Sequence, residues 1–267
     1  SIIFSSLLQK SIFNQLMMKK LLLFVCIVSF TSNVWAQKTT TETKETTTPK
    51  KIDLSNRTAD HFMIQYGKDN WSGTPDSINV LGSSRHFNFY LMVDKPFRNN
   101  PKFSVAYGVG LSSSNIFFDK NYVDIKANAT TLPFRRSYSG NDSSAFSKFK
   151  LTTIFLEAPI ELRYYSNPEN PSKSWKAALG VKVGTLLKSF TKGKNLQNKA
   201  GGSIYGDKFI EKESNKRFFN GTRIAASARV GYGIIGLQFS YQITQVFKEG
   251  FGPEVRPYSI GLTISGL

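Results

Sequence analysis

Seven charged residues stand at alternate positions in otherwise uncharged runs, and their types and spacing bear on chemistry first. Glu157, Glu161 and Arg163 alternate with Leu156, Ala158, Ile160, Leu162 and Tyr164. Lys176 and Lys182 alternate with Ala177, Leu179, Val181 and Val183, and Arg223 and Arg229 bracket Ile224, Ala226 and Ala228. Two carboxylates among cations are what acid–base catalysis at a glycosidic bond uses. The same set also arises where buried charges neutralise one another, because an unpaired buried charge is costly. Folding the chain about residue 170 puts Glu157 roughly opposite Lys182 and Glu161 near Lys176, with Arg223 and Arg229 at similar depths. We read the seven as a structural charge network.

Histidine offers little more. A hydrolytic site at a barrel rim needs a histidine with an Asp, Glu or Ser partner. His86 follows Ser83 and Ser84 but has no acidic neighbour close in sequence, and His61 is expected at the opposite end of the preceding strand. Two separated histidines also fall short of the three or four ligands a zinc site takes. Cys26, the only cysteine, lies in the apolar stretch Leu21 to Phe30, so the chain after it has no disulfide or thiolate chemistry. Gly201-Gly202 and Gly231-Tyr232-Gly233 read as turn glycines, since no helix follows to form a phosphate site. The expectation is therefore no catalytic, cofactor or metal site.

The elements that must position these residues follow from the pattern along the chain. Met18-Lys19-Lys20, the apolar run to Phe30 and Val34-Trp35-Ala36 have the order of a secretory signal cleaved near Ala36, so residues 1–36 read as an upstream extension plus signal peptide. Residues 37–57 are a Thr/Lys/Glu tract too poor in apolar side chains to fold, read as a disordered periplasmic linker. From residue 58 to 267 the period is two: Phe87, Phe89, Leu91, Val93; Phe103, Val105, Tyr107, Val109, Leu111; Ile235, Leu237, Phe239, Tyr241. The interleaved positions carry Asn88, Ser104, Gln238, Ser240 and the charged seven. Successive side chains on a strand face opposite ways, so each strand has an apolar and a polar face.

A soluble sandwich gives the same local alternation, and three features favour lipid instead. The runs reach the ~9–11 residues that a tilted strand needs to cross a bilayer. Connections alternate between short (94–102, 166–174, 231–233) and long (68–85, 112–151, 188–221, 247–257). Aromatic residues gather at strand ends, with Phe62, Phe103, Tyr164, Trp175 and Tyr232 at one and Tyr66, Phe87 and Tyr258 at the other. The predicted fold is all-β: an eight-stranded antiparallel transmembrane β-barrel with short periplasmic turns and long extracellular loops. Pro159, inside the fourth predicted strand, cannot donate to the ladder and predicts a bulge or a missing bond.

A net charge of +17, or +14 without Lys10, Lys19 and Lys20 of the leader, would suit nucleic acid in the cytoplasm. In an exported chain it points to anionic lipopolysaccharide, and we expect no nucleic-acid partner. The long loops hold much of the charge, with Arg135, Arg136, Lys192 and Lys194 as candidate anion-binding residues on a solvated loop face.

The segment Phe155-Leu156-Glu157-Ala158-Pro159-Ile160-Glu161-Leu162-Arg163-Tyr164 resembles the PorT-like outer-membrane β-barrel families of Bacteroidota, where Leu-Glu-x-Pro-x-x-Leu-x-Tyr marks a middle strand. The resemblance extends loosely over residues 58–267, through Trp175 to Gly184 and the closing Ile260-Gly261-Leu262. It implies insertion by the outer-membrane assembly machinery, although the chain ends in Leu267 where an aromatic is usual. Some such families serve type IX secretion. The resulting expectation is an integral outer-membrane protein with a structural or interaction role, as an accessory of an envelope protein complex. A small-solute channel is the alternative, and a rim-site hydrolase comes third.

Overall fold

The computed structural model describes residues 62–137 and 144–265. The chain divides into two units, Ser1–Lys50 and Lys51–Leu267, and every described residue belongs to the second. The signal peptide, the linker and His61 lie outside the described residues.

Alternation sets the strands: β1 (Phe62–Ser72), β2 (Arg85–Pro96), β3 (Phe103–Phe118), β4 (Asn121–Val123), β5 (Phe134–Arg136), β6 (Ser144–Tyr165), β7 (Trp175–Asn198), β8 (Ile210–Ser214), β9 (Thr222–Tyr232), β10 (Ile235–Gln242) and β11 (Arg256–Ser265). Ladders run β1–β2, β2–β3, β3–β6, β6–β7, β7–β9, β9–β10, β10–β11 and β11–β1, all antiparallel. Each of these eight strands thus has a neighbour on both sides, and the pairing returns to its starting strand. A wall paired in this way presents no continuous unpaired edge. β8 pairs with the far part of β7, while β4 and β5 form a separate two-stranded ribbon.

Alternate residues point out and in as the period requires. Trp175 is 62% exposed and Leu179 68%, with Ile160, Leu162, Val230, Leu237, Phe239 and Ile260 also exposed, while Glu157, Glu161, Arg163, Lys182 and Gln238 are buried inside. The rings of Phe103 and Tyr164 meet at a tilt with centroids 5.2 Å apart, and those of Trp175 and Tyr232 edge-to-face at 5.5 Å, both at the short-turn end. There Gly233, with φ of 60°, turns the chain between Tyr232 and Ile235, a conformation that glycine adopts without strain.

Strands run further than hydropathy indicates. Residues expected in the connections 112–151 and 188–221 are ladder instead: β3 continues to Phe118, β6 begins at Ser144 and β7 reaches Asn198. β6 is 22 residues long and β7 is 24, about twice what a membrane crossing takes. Backbone pairing continues past the apolar band, and there the side chains no longer alternate apolar with polar.

At Pro159 the register runs on unbroken against β7, while the β3–β6 ladder skips Gly108 and Val109 opposite Pro159 and Ala158. A missing amide donor accounts for the gap. The register shift lies elsewhere, at Ile154/Phe155, where β7 carries Leu187 as an extra residue.

The long connections are not merely a solvated face. Ile78, Val123, Ile125, Leu132, Phe218, Phe219, Phe247 and Val255 are buried together with Trp71, Phe118, Phe149 and Leu151 from the strand tops. Phe247 is central, with ring centroids 5.8 Å from Trp71, 6.0 Å from Phe134 and 5.3 Å from Phe219. These residues come from several connections with no shared period, so no single stretch of sequence displays the cluster.

Candidate functional site

The interior is built in layers because inward positions recur at the same height on neighbouring strands. Nearest the short turns, Arg229 grips Glu161 with two bonds, Nε to Oε1 at 3.1 Å and Nη2 to Oε2 at 2.6 Å. Arg163 Nε donates to the same Oε2 at 3.0 Å, and its Nη1 lies 3.9 Å from Asp94, which also accepts from Ser104 at 2.6 Å. Paired, bidentate geometry of this kind makes buried charges tolerable.

One layer up, Tyr90 donates to Glu157 Oε2 at 2.6 Å and Arg223 Nη1 stands 3.0 Å from Oε1. Lys182 donates to Gln65 Oε1 at 2.9 Å and lies over the Tyr90 ring, 5.1 Å from its centroid. Asn88 and Ser112 join Gln65 to Arg223 through bonds of 3.1, 2.8 and 3.1 Å. Gly110 is required here: a Cβ would meet Tyr90 Cδ1 at 2.5 Å and the Phe89 carbonyl oxygen at 2.1 Å.

The structure thus brings Glu157, Glu161, Arg163, Lys182, Arg223 and Arg229 into the interior, with partners that differ from those expected. Glu157 faces Gly184 and Glu161 faces Gly180, not Lys182 and Lys176. The hairpin holding the 3-10 turn Pro171–Lys173 is centred later than expected, which moves the pairing by two positions at Glu157 and by four at Glu161. An even shift keeps every side chain on its face and changes only its depth. Lys176 consequently sits at the short-turn end opposite Tyr165, with its ammonium 5.4 Å from that ring's centroid.

The third layer was not legible in the sequence. His86 does have an acidic partner: Asp69 Oδ1 lies 2.8 Å from its Nδ1, from the adjacent strand. Ser114 donates to the other Asp69 oxygen, and Gln238 Nε2 lies 2.7 Å from His86 Nε2. Asp69 therefore stands between the serine and the imidazole. A hydrolase instead aims its serine at a free imidazole nitrogen. Here both ring nitrogens are engaged, and the residue is 3% exposed beneath the aromatic cluster. Among the described residues no group of three or more His, Cys, Asp or Glu is arranged to hold a metal ion.

The four candidate anion-binding residues separate. Arg135 and Arg136 lie on β5, opposite Tyr122 and Asn121. Lys192 and Lys194 lie on β7 opposite Lys150 and Lys148, beyond the apolar band. There burial, Lys192, Arg85, Lys194 and Lys212 together lower the Lys150 pKa. On the opposite face of β8, burial and the Asp124 carboxylate raise that of Glu213, Lys126 opposing and Glu211 adding to the rise.

An antiparallel wall with an uncharged apolar band outside and a hydrogen-bonded polar inside defines an outer-membrane β-barrel protein. Residues 54–262 match the outer membrane protein beta-barrel domain, and the chain belongs to that family. Among solved structures, it is similar to Ail, the attachment invasion locus protein of Yersinia pestis, at 14% identity and a TM-score of 0.30, over 76% of this chain and 94% of that one. The structure of Ail with the heparin analogue sucrose octasulfate is similar at 12% identity, with the same coverage and TM-score. No curated protein matches.

Proposed function

We propose that this protein is a sealed outer-membrane barrel with a structural or interaction role, acting through its outer surface and long loops rather than through its interior. The observation that carries this reading is the filling of the inside: paired charges at mid-height, the Asp69–His86–Gln238 chain above them, and the aromatic cluster over the top. An eight-stranded barrel is just wide enough for side chains to fill it. In this reading the lumen charges are structural, and the protein is not an enzyme.

The short turns face the periplasm and the long connections the exterior, following the usual orientation of such barrels. The Leu156–Tyr164 segment favours a PorT-like protein of Bacteroidota, and Met18 to Ala36 favours export by a signal cleaved near Ala36; a role as an accessory of an envelope or type IX secretion machine is part of the proposal. Planar-bilayer recording tests the sealed interior: the expected result is no steady unit current, and reproducible unit conductance overturns it in favour of a small-solute channel. Crosslinking in intact cells, followed by purification from outer membranes, tests the role: stoichiometric envelope partners are expected, and their absence counts against it.

A further inference from the structure

On β6 the outward positions run Tyr164, Leu162, Ile160, Ala158, Leu156 and Ile154, then turn to Thr152, Lys150 and Lys148. The extra residue Leu187 gives β7 a matching order above its own apolar run, with Phe190, Lys192 and Lys194 outward and Ser189, Thr191 and Gly193 inward. Register then aligns Lys150 with Lys192 and Lys192 with Lys212 of β8, three ammonium groups on one rung of three adjacent strands. Lys148 faces Lys194 on the next rung. Like charges directly opposite each other on a sheet are destabilising.

Lys150 Nζ donates to Asn115 Oδ1 at 2.7 Å, but among the described residues no carboxylate offsets the charge. β8 reads Ile-Glu-Lys-Glu-Ser, and its alternation sends Glu211 and Glu213 to the other face, where they line a hollow with Asp124. Among the described residues none of Arg85, Lys148, Lys150, Lys192, Lys194 and Lys212 forms an ion pair. Five of the six, all but Lys212, line a cleft of about 290 Å³ with Phe117, over whose ring Arg85 and Lys150 lie at 5.5 and 5.7 Å.

Height identifies what fits. At ~3.4 Å per residue and a tilt near 45°, Lys150 stands ~10 Å beyond Ile154, the last apolar outward residue of β6. The headgroup layer reaches ~5–8 Å beyond the hydrocarbon, and a lysine side chain leaning back toward the bilayer places its ammonium there. We propose that this rung binds the phosphates of a phosphorylated lipid headgroup in the leaflet at the long-loop end. The assignment rests on the proposed function only for the barrel's membrane embedding, not for its sealed interior, so conductance and lipid binding fail independently.

The test reconstitutes the barrel in phosphatidylcholine nanodiscs with or without diphosphoryl lipid A, and native mass spectrometry measures the lipid retained on release. Each cation near an anionic surface contributes about fivefold in affinity, so Lys150→Gln with Lys192→Gln should reduce retention about 25-fold. Arg98→Gln with Lys173→Gln removes equal charge from exposed positions in the short turns at the other end and should leave retention unchanged. Equal losses in both pairs, or no preference of the native chain for lipid A over phosphatidylcholine, overturn the proposal. Equal displacement by free pyrophosphate or by a sulfated oligosaccharide overturns it in favour of a soluble anion. Unfolding midpoints give a second check: the Lys150/Lys192 variant should be more stable than the native chain in phosphatidylcholine alone and less stable with lipid A. Absence of that reversal also overturns the proposal.

Discussion

Glu161 is the residue on which the lower lumen depends, since one carboxylate holds two guanidinium groups. Its replacement by Gln leaves Arg163 and Arg229 buried with half their compensation, and removing one partner of such a group costs ~3–5 kcal/mol. Denaturant unfolding of the refolded barrel should show that loss, whereas Glu169→Gln in an exposed turn should leave the midpoint within ~0.5 kcal/mol. Sequence placed Glu161 on the correct face because parity survives a register error of an even number of residues. It did not give Glu161's partners, because depth depends on where the hairpin is centred, and no residue near 170 announces that. Asp69 and His86 illustrate a different limit. They lie on different strands, and only the β1–β2 register, Gly67 opposite His86, reveals that they meet.

Among the elements, β7 carries two environments in one strand. Val181 points to lipid near mid-height, so Val181→Arg should cost ~2–4 kcal/mol in vesicles. If Val181→Arg costs no more than Val181→Ala, the outward face is wrongly assigned. Leu187 links the two environments. Deleting it removes the shift at Ile154/Phe155 and leaves Lys188 against Ile154 and Lys192 against Lys150, on the faces they now hold. We expect that deletion to be tolerated, read as unchanged protection of residues 188–214 from protease, because it moves no later side chain to the other face. The apolar band of β7 was legible from alternation alone. Its upper half was not, because Lys-Ser-Phe-Thr-Lys-Gly-Lys reads as a polar loop until a neighbouring strand pairs with it.

At the scale of the whole molecule, barrel wall and loops form two connected cores, a hydrogen-bonded one within the lipid band and an aromatic one above it. Phe247→Ala should cost ~3–5 kcal/mol, as removal of a large buried ring does, and should expose the long connections to protease without opening the wall. The wall has a further consequence. Its first and last described strands lie side by side, Met63 against Ser265, with nearly all the described chain between them. Contacts so distant in sequence form slowly, because chain entropy must be lost before they contribute. The same ladder, once joined, gives unfolding no frayed margin from which to start. The barrel should therefore be guarded more by rate than by equilibrium, migrating as a compact species in cold detergent gels and shifting to its full apparent size only after boiling.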